Sequence, residues 1–169
     1  MGAFSMSPAV PAPSVEKIAS PTREVWGIDV SPGMLRRGAA YATAERTSNL
    51  HFARARVEAL PFGDASFDAV LCCGSLHLFT DTVAALKEMA RVMKPGAVLA
   101  TFTFTAGEGG LLKYEKFRRW SWARHGLHVF ALEDSRRDLT SSGFEDFQPE
   151  VAWSVLTFSA RKRLPDRAG

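Results

Sequence analysis

The feature that most constrains the fold is an alternation, from Glu24 onward, of short apolar runs with segments of helical spacing. Val25-Trp26-Gly27-Ile28 reads as a buried strand ending at Asp29, and Ser31 then offers a helix N-cap with Pro32 at the first helical position. Met34, Leu35, Gly38, Ala39 and Ala42 continue at helical spacing to about Arg46. Residues 50–53 and 67–73 read as two more strands. Thr80 or Asp81 caps a helix that places Val83, Leu86, Ala90 and Met93 on one side, and Lys94-Pro95-Gly96 stops it. Residues 97–104, rich in Val, Thr and Phe, form a fourth strand. Helices are expected over 111–124 and 133–142, the second ended by Gly143. Strands over 144–148 and 153–160 are expected to pair antiparallel around Pro149-Glu150. Alternation followed by a hairpin predicts an α/β protein with a mostly parallel sheet.

Composition narrows the function classes. A chain of 169 residues fits one domain with a real core, and 46% hydrophobic against 23% charged residues excludes disordered, collagen-like and disulfide-scaffold classes. No apolar run approaches the ~20 residues that span a bilayer; the longest, 69–79, is broken by Gly74, Ser75 and His77. The two cysteines, Cys72 and Cys73, are adjacent and form no long-loop staple, so a reducing cytoplasm is the expected compartment. The net charge of +3 sits in a tail where Arg161, Lys162, Arg163 and Arg167 face only Asp166. Such a tail is weak evidence for nucleic acid or an anionic membrane. Residues 1–23, with Pro8, Pro11, Pro13 and Pro21 among Ala and Ser, read as a flexible leader, 24–161 as the domain and 162–169 as a basic tail.

Asp29 is the first candidate for chemistry. A carboxylate at the C-terminal end of a parallel strand faces the crevice where such sheets bind ligands, and there it can accept both hydroxyls of a ribose. It can equally cap the next helix; position alone leaves both open. The surrounding residues add context. Val25-Trp26-Gly27-Ile28-Asp29-Val30-Ser31-Pro32-Gly33-Met34-Leu35 resembles the second-strand motif of class I S-adenosylmethionine-dependent methyltransferases. Val57-Glu58-Ala59-Leu60-Pro61-Phe62 with Asp64-Ala65-Ser66-Phe67-Asp68, then Cys73-Gly74-Ser75-Leu76-His77, and finally Arg91-Val92-Met93-Lys94-Pro95-Gly96 resemble the family's next three signatures. The order and spacing over about 25–104 are similar to methyltransferases of type 11, nearest to the ubiquinone/menaquinone-biosynthesis kind.

The resemblance implies a Rossmann-like sheet with helices on both faces, S-adenosylmethionine as cofactor and a small-molecule methyl acceptor. It implies that Asp29, with Val30 beside it, holds the ribose, that Met34 packs near the adenine, and that the backbone at Arg56 and Val57 meets the adenine edge. Cys73, Gly74 and His77 would border the methionine end. Methyl transfer is an in-line displacement governed by positioning, with a base needed only when the nucleophile must lose a proton. His77 is the candidate base, or alternatively a packing wall.

Two departures from the family are visible. Many relatives carry an acidic residue, an acceptor for the adenine amino group, where this chain has Arg56, which has no acceptor. The family's first strand and glycine-rich loop have no evident counterpart in residues 1–23, where no glycine comes after Gly2. The expectation is therefore a domain lacking its first strand. Gly107-Glu108-Gly109-Gly110 lies after the wrong strand and reads as a turn. Two functions remain: an S-adenosylmethionine-dependent methyltransferase, or a truncated, inactive remnant that binds a partner. A dinucleotide oxidoreductase fits the Leu60-Pro61-Phe62 and Lys94-Pro95-Gly96 context less well. His125 and His128 have no evident third metal ligand. Lys113, Lys116, Arg118, Arg119 and Arg124 among Phe117, Trp120 and Trp122 could meet an anionic or aromatic substrate, or RNA, but read first as a half-solvated helix.

Overall fold

A computed structural model describes residues 24–105 and 128–165, the backbone of Gly2–Met6, and Lys116, Trp120 and Arg124 at helical positions. The strands are β1 (Gly2–Met6), β2 (Glu24–Asp29), β3 (Leu50–Arg54), β4 (Phe67–Cys73), β5 (Met93–Phe104), β6 (Phe144–Ala152) and β7 (Val155–Lys162). The helices are α1 (Pro32–Ala44), α2 (Thr82–Val92) and α3 (Leu132–Ser141), with a 3-10 turn at Leu76–Leu78. The sheet runs β3-β2-β1-β4-β5-β7-β6. Its first five strands are parallel, and β7 pairs antiparallel with both β5 and β6.

The expected absence of the first strand is corrected here. Gly2–Met6 pairs in parallel with β2 on one side and β4 on the other, with Phe4 opposite Trp26 and Val70. Five residues with only two large apolar side chains are too short to show periodicity. What places them is tertiary: β2 and β4 each present a row of unpaired backbone groups, and a strand between them satisfies both. The leader is thus not free over Gly2–Met6. The remainder of that expectation, residues 7–23, lies outside the described residues, as does most of the helix expected over 111–124.

Local chemistry accounts for the helices. Ser31 caps α1, its Oγ accepting the Met34 N–H at 3.4 Å, and Asp81 caps α2 by accepting the Ala84 N–H at 2.8 Å. Side chains alternate across the strands and so sort the helices by face. On one face Trp26 and Ile28 join Phe67, Val70, Cys72, Leu99 and Phe158 beneath α2 (Leu86, Met89) and α3 (Leu139). On the other, Gly27 of β2 and Gly38 of α1 enclose the Phe52 ring. A Cβ on Gly38 would lie 2.5 Å from that ring, and one on Gly27 2.9 Å. Gly38→Ala is therefore expected to destabilise by about 1–2 kcal/mol, overpacking exceeding the ~1 kcal/mol that alanine gains in a helix. Urea unfolding checks this, and in a Phe52→Ala background the sign should reverse.

Helix α2 stops at Val92, and β5 begins at once with Met93 opposite Phe67. The pairing then jumps to Val98 opposite Ala69, so Lys94-Pro95-Gly96-Ala97 bulges out with Gly96 at φ +76°. Lys162 Nζ reaches back to the Met93 carbonyl at 2.6 Å, so Lys162 is the last residue of β7, not the first of a free tail. The hairpin also differs from expectation. The β6–β7 turn falls at Trp153-Ser154, with Trp153 at φ +59° and 95% exposed. Pro149 lies inside β6, the edge strand, where a missing N–H costs no ladder bond.

Candidate functional site

The parallel strands all end at one edge of the sheet, and a cavity of about 230 Å³ opens there. Its lining comes from three loops: Ile28, Asp29 and Val30 after β2; Ala55 to Glu58 after β3; and Ser75, Leu78, Phe79 and Thr80 after β4. Pockets for whole drug-sized ligands run to ~300–1,000 Å³, so this one suits a nucleoside-sized portion of a larger molecule.

Asp29 plays both roles that its position allows. Its Oδ1 accepts the Ser31 N–H at 2.7 Å, fixing the turn into α1, while the residue lines the cavity. A carboxylate has about four acceptor sites, so the turn leaves capacity for a ligand hydroxyl. Arg54 Nε donates to the Val30 carbonyl at 3.0 Å and ties the β2 and β3 loops together.

The next loop turns back on itself. Arg56 and Ala59 form an isolated bridge, with the Ala59 N–H on the Arg56 carbonyl at 3.2 Å. Arg56 Nη2 donates to Glu58 Oε1 at 3.3 Å. Helix α2 pins the stretch from Leu60 to Asp64. Glu88 Oε1 accepts the Leu60 N–H at 2.8 Å. Arg91 binds Glu88 through Nε and Nη2, each at 2.8 Å, and Asp64 at 2.6 Å. It also holds the carbonyls of Phe62 at 2.9 Å and Leu60 at 3.3 Å. Hydrogen bonding by Arg91 lowers the Glu88 pKa, and the Arg91 pKa is raised in turn by Glu88 and then Asp64.

Beyond the cavity, β4 is followed by Gly74 at φ +64°, a backbone state that favours glycine. The Phe102 ring packs over it, 3.0 Å from where a Cβ would sit. His77 comes next in the 3-10 turn, 7% exposed, its ring edge-on to Phe104 at 4.7 Å between centroids. Its Nδ1 is buried without a partner among the described residues, and burial lowers its pKa. The His77 carbonyl accepts the His128 N–H at 2.9 Å. Phe102 and Phe104, two apart on one face of β5, are both exposed at this edge together with Leu78. Burial pushes the thiols up, Cys73 to about 11 and Cys72 to about 12, so both are neutral at pH 7.

A family described as a methyltransferase domain matches residues 11–101, more than half of the chain. The chain belongs to this methyltransferase family. Demethylmenaquinone methyltransferase of Geobacillus kaustophilus is 27% identical over 154 residues, covering 80% of this chain and 66% of that protein. The chain spans 28–66% of the length of the first curated relatives it matches. Two solved structures share the fold at TM-score 0.80 and 16% identity. YcgJ of Bacillus subtilis is covered over 92% of its chain and 97% of this one. Phosphoethanolamine N-methyltransferase 2 of Haemonchus contortus, in complex with S-adenosyl-L-methionine, is covered over 48% of its chain and 96% of this one. The sheet order and the terminal hairpin are those of a class I, Rossmann-like methyltransferase domain.

Of the residues singled out from sequence, Asp29, Val30, Arg56 and Val57 line the cavity of this methyltransferase domain. Met34 lies in the first turn of α1, outside the cavity lining, because Ser31 holds that turn. Cys73, Gly74 and His77 lie just past the lining, at the end of β4. Sequence reasoning missed Glu58, Leu78, Phe79 and Thr80 in the lining, and the aromatic pair Phe102 and Phe104. The i, i+2 spacing of those phenylalanines at a strand's C-terminal end was the available signal. Among the described residues no group of His, Cys, Asp or Glu could hold a metal ion, and no helix is long and apolar enough to cross a membrane.

Proposed function

We propose that this domain transfers the methyl group of S-adenosylmethionine to a small-molecule acceptor. The observation that carries the reading is the cavity at the C-terminal edge of the parallel strands, with Asp29 in its wall. The residues present fit the cofactor's nucleoside. Asp29 accepts ribose hydroxyls, and Ile28, Val57, Leu78 and Phe79 offer apolar faces to a planar base. S-adenosylmethionine supplies a methyl group already activated on a sulfonium, so the protein's task is to position, exclude water and, for a protic acceptor, take a proton.

Phe102 and Phe104, exposed just past the cavity lining, offer the acceptor an apolar face, which suits an apolar or aromatic molecule. His77 stands against Phe104 with a neutral ring whose buried Nδ1 has no partner among the described residues, and it is the side chain we assign to receive the acceptor's proton. A second reading, an inactive remnant that binds a partner, is favoured by one sequence feature: residues 7–23 hold no glycine where relatives carry a glycine-rich loop.

Transfer of label from methyl-labelled S-adenosylmethionine to a panel of phenols, amines and thiols tests the proposal. Asp29→Asn removes the charge from bonds worth about 1.5–3 kcal/mol. Its KM for the cofactor is expected to rise on the order of tenfold or more, with an unchanged unfolding midpoint. Label transfer indifferent to Asp29→Asn would place the cofactor elsewhere, and a folded wild-type chain that transfers none would support the remnant.

A further inference from the structure

A second cavity, of about 420 Å³, opens between the far end of α1 and β3. Its volume falls within the ~300–1,000 Å³ of small-molecule sites, which the cavity behind Asp29 does not reach. Helix α1 runs 13 residues between the two, about 20 Å at 1.5 Å per residue, so they are separate. Ala39, Ala42, Leu50 and Phe52 form its apolar side. The close approach of Gly27 and Gly38 fixes the Phe52 ring, so that side is rigid. Thr43, Arg46, Thr47 and Ser48 form the polar side, and no acidic residue joins them.

The placement of Arg46 is unusual. Helix α1 ends in a Schellman turn: the Arg46 N–H reaches the Thr43 carbonyl at 3.2 Å, and the Thr47 N–H the Ala42 carbonyl at 2.9 Å. The residue at this point takes φ +53°, a state that favours glycine or asparagine. The chain puts there the one charged side chain of the lining, and its guanidinium makes no ion pair among the described residues. A helix C-terminus carries partial negative charge, so an anion is admitted here only against a cation, and Arg46 supplies it. Thr43 Oγ1 donates to the Ala39 carbonyl at 2.9 Å, which leaves the Thr47 and Ser48 hydroxyls as the donors beside Arg46.

We infer that this cavity binds a small organic anion, a carboxylate or phosphate carried on a flat apolar body. The guanidinium fork takes two anion oxygens at once, and the Thr47 and Ser48 hydroxyls donate alongside it. The body lies against Phe52 between α1 and β3. The inference is independent of the reading of the cavity behind Asp29.

Titration of the isotope-labelled full chain with phenyl phosphate and with benzoate, followed by backbone amide shifts, tests this. Inorganic phosphate serves as the head group alone. Shifts are expected to gather at Thr43, Thr47, Ser48 and Phe52, with a Kd of about 1 mM or below for the better aryl anion, which also names the head group. Inorganic phosphate should bind about tenfold more weakly, for want of a body to bury. Arg46→Gly separates binding from folding. Glycine suits φ +53°, so the urea midpoint should hold or rise, while affinity falls about tenfold or more. The absence of shifts at about 10 mM of either aryl anion overturns the site. So does equal affinity in Arg46→Gly, or shifts that fall instead at Asp29 and Val57 and vanish when S-adenosylhomocysteine is added. Inorganic phosphate binding as tightly as phenyl phosphate overturns the apolar body.

Discussion

Arg91→Ala is expected to destabilise the domain by about 2–3 kcal/mol and to weaken cofactor binding, although Arg91 lies outside the cavity. The guanidinium joins helix α2 to the loop over Leu60–Asp64 through two carboxylates and two carbonyls. Removing it leaves Glu88, only 17% exposed at its side chain, with the Leu60 N–H as its remaining bond. It also takes one donor from each of the Leu60 and Phe62 carbonyls, although the Leu60 carbonyl keeps the Phe62 N–H at 2.8 Å. Each unsatisfied buried group costs about 1–3 kcal/mol, reduced here because Arg91 is itself one-third exposed and water replaces part of what is lost. The pinned loop starts two residues after Glu58, so its release also frees the cavity wall.

The pH dependence has a definite sign. Arg91 holds the Glu88 carboxyl below the usual range. The stability this gives is fully present above the unfolded carboxylate value of about 4.3, and it is lost as pH falls through the folded value. Wild type should therefore lose stability on acidification across that window more steeply than Arg91→Ala. Tryptophan fluorescence during urea unfolding from pH 3 to 7 measures both effects. A loss under about 0.5 kcal/mol, with parallel pH profiles, would mean that the loop is held by something other than Arg91.

His77→Phe carries the largest expected effect on rate, a fall in kcat of about 10²–10⁴-fold for an acceptor that must lose a proton. Phenylalanine keeps a ring against Phe104 and removes a buried nitrogen that has no partner among the described residues, so stability should hold or rise slightly. Burial lowers the His77 pKa, which keeps the ring neutral at pH 7. The rate should be flat above about 6.5, the unperturbed histidine value, and fall at lower pH as the folded ring protonates. Stability moves in the same direction: the unfolded chain takes up the proton first, so stability is lost as pH falls from about 6.5 toward the folded value. A His77→Phe protein within threefold of wild type would make His77 a packing wall.

How much of this was legible in the sequence depends on how local the cause is. Strand β2, helix α1 and helix α2 could be read because Ser31-Pro32 and Asp81 are capping signals that act within three or four residues. Strand β1 could not, because its place is set by β2 and β4, remote in sequence and paired on either side. Pro149-Glu150 has turn chemistry, yet an edge strand tolerates it, and the reversal falls instead at Trp153. The site divides in the same way. Asp29 was legible as the last residue of a strand, whereas Glu58 and Leu78 share a cavity only because the sheet brings the β3 and β4 loops side by side. Arg91 meets Leu60, Phe62 and Asp64 across 27 to 31 residues, a distance no local pattern records.

Everything proposed for function depends on the cavity behind Asp29 taking the nucleoside of S-adenosylmethionine. Calorimetric titration of the wild-type chain with S-adenosylmethionine, on protein shown by urea unfolding to fold cooperatively, tests this most directly. Saturable one-to-one binding is expected near micromolar Kd, about −8 kcal/mol, competed by S-adenosylhomocysteine. A cooperatively folded chain that gives no binding heat at millimolar ligand would contradict it.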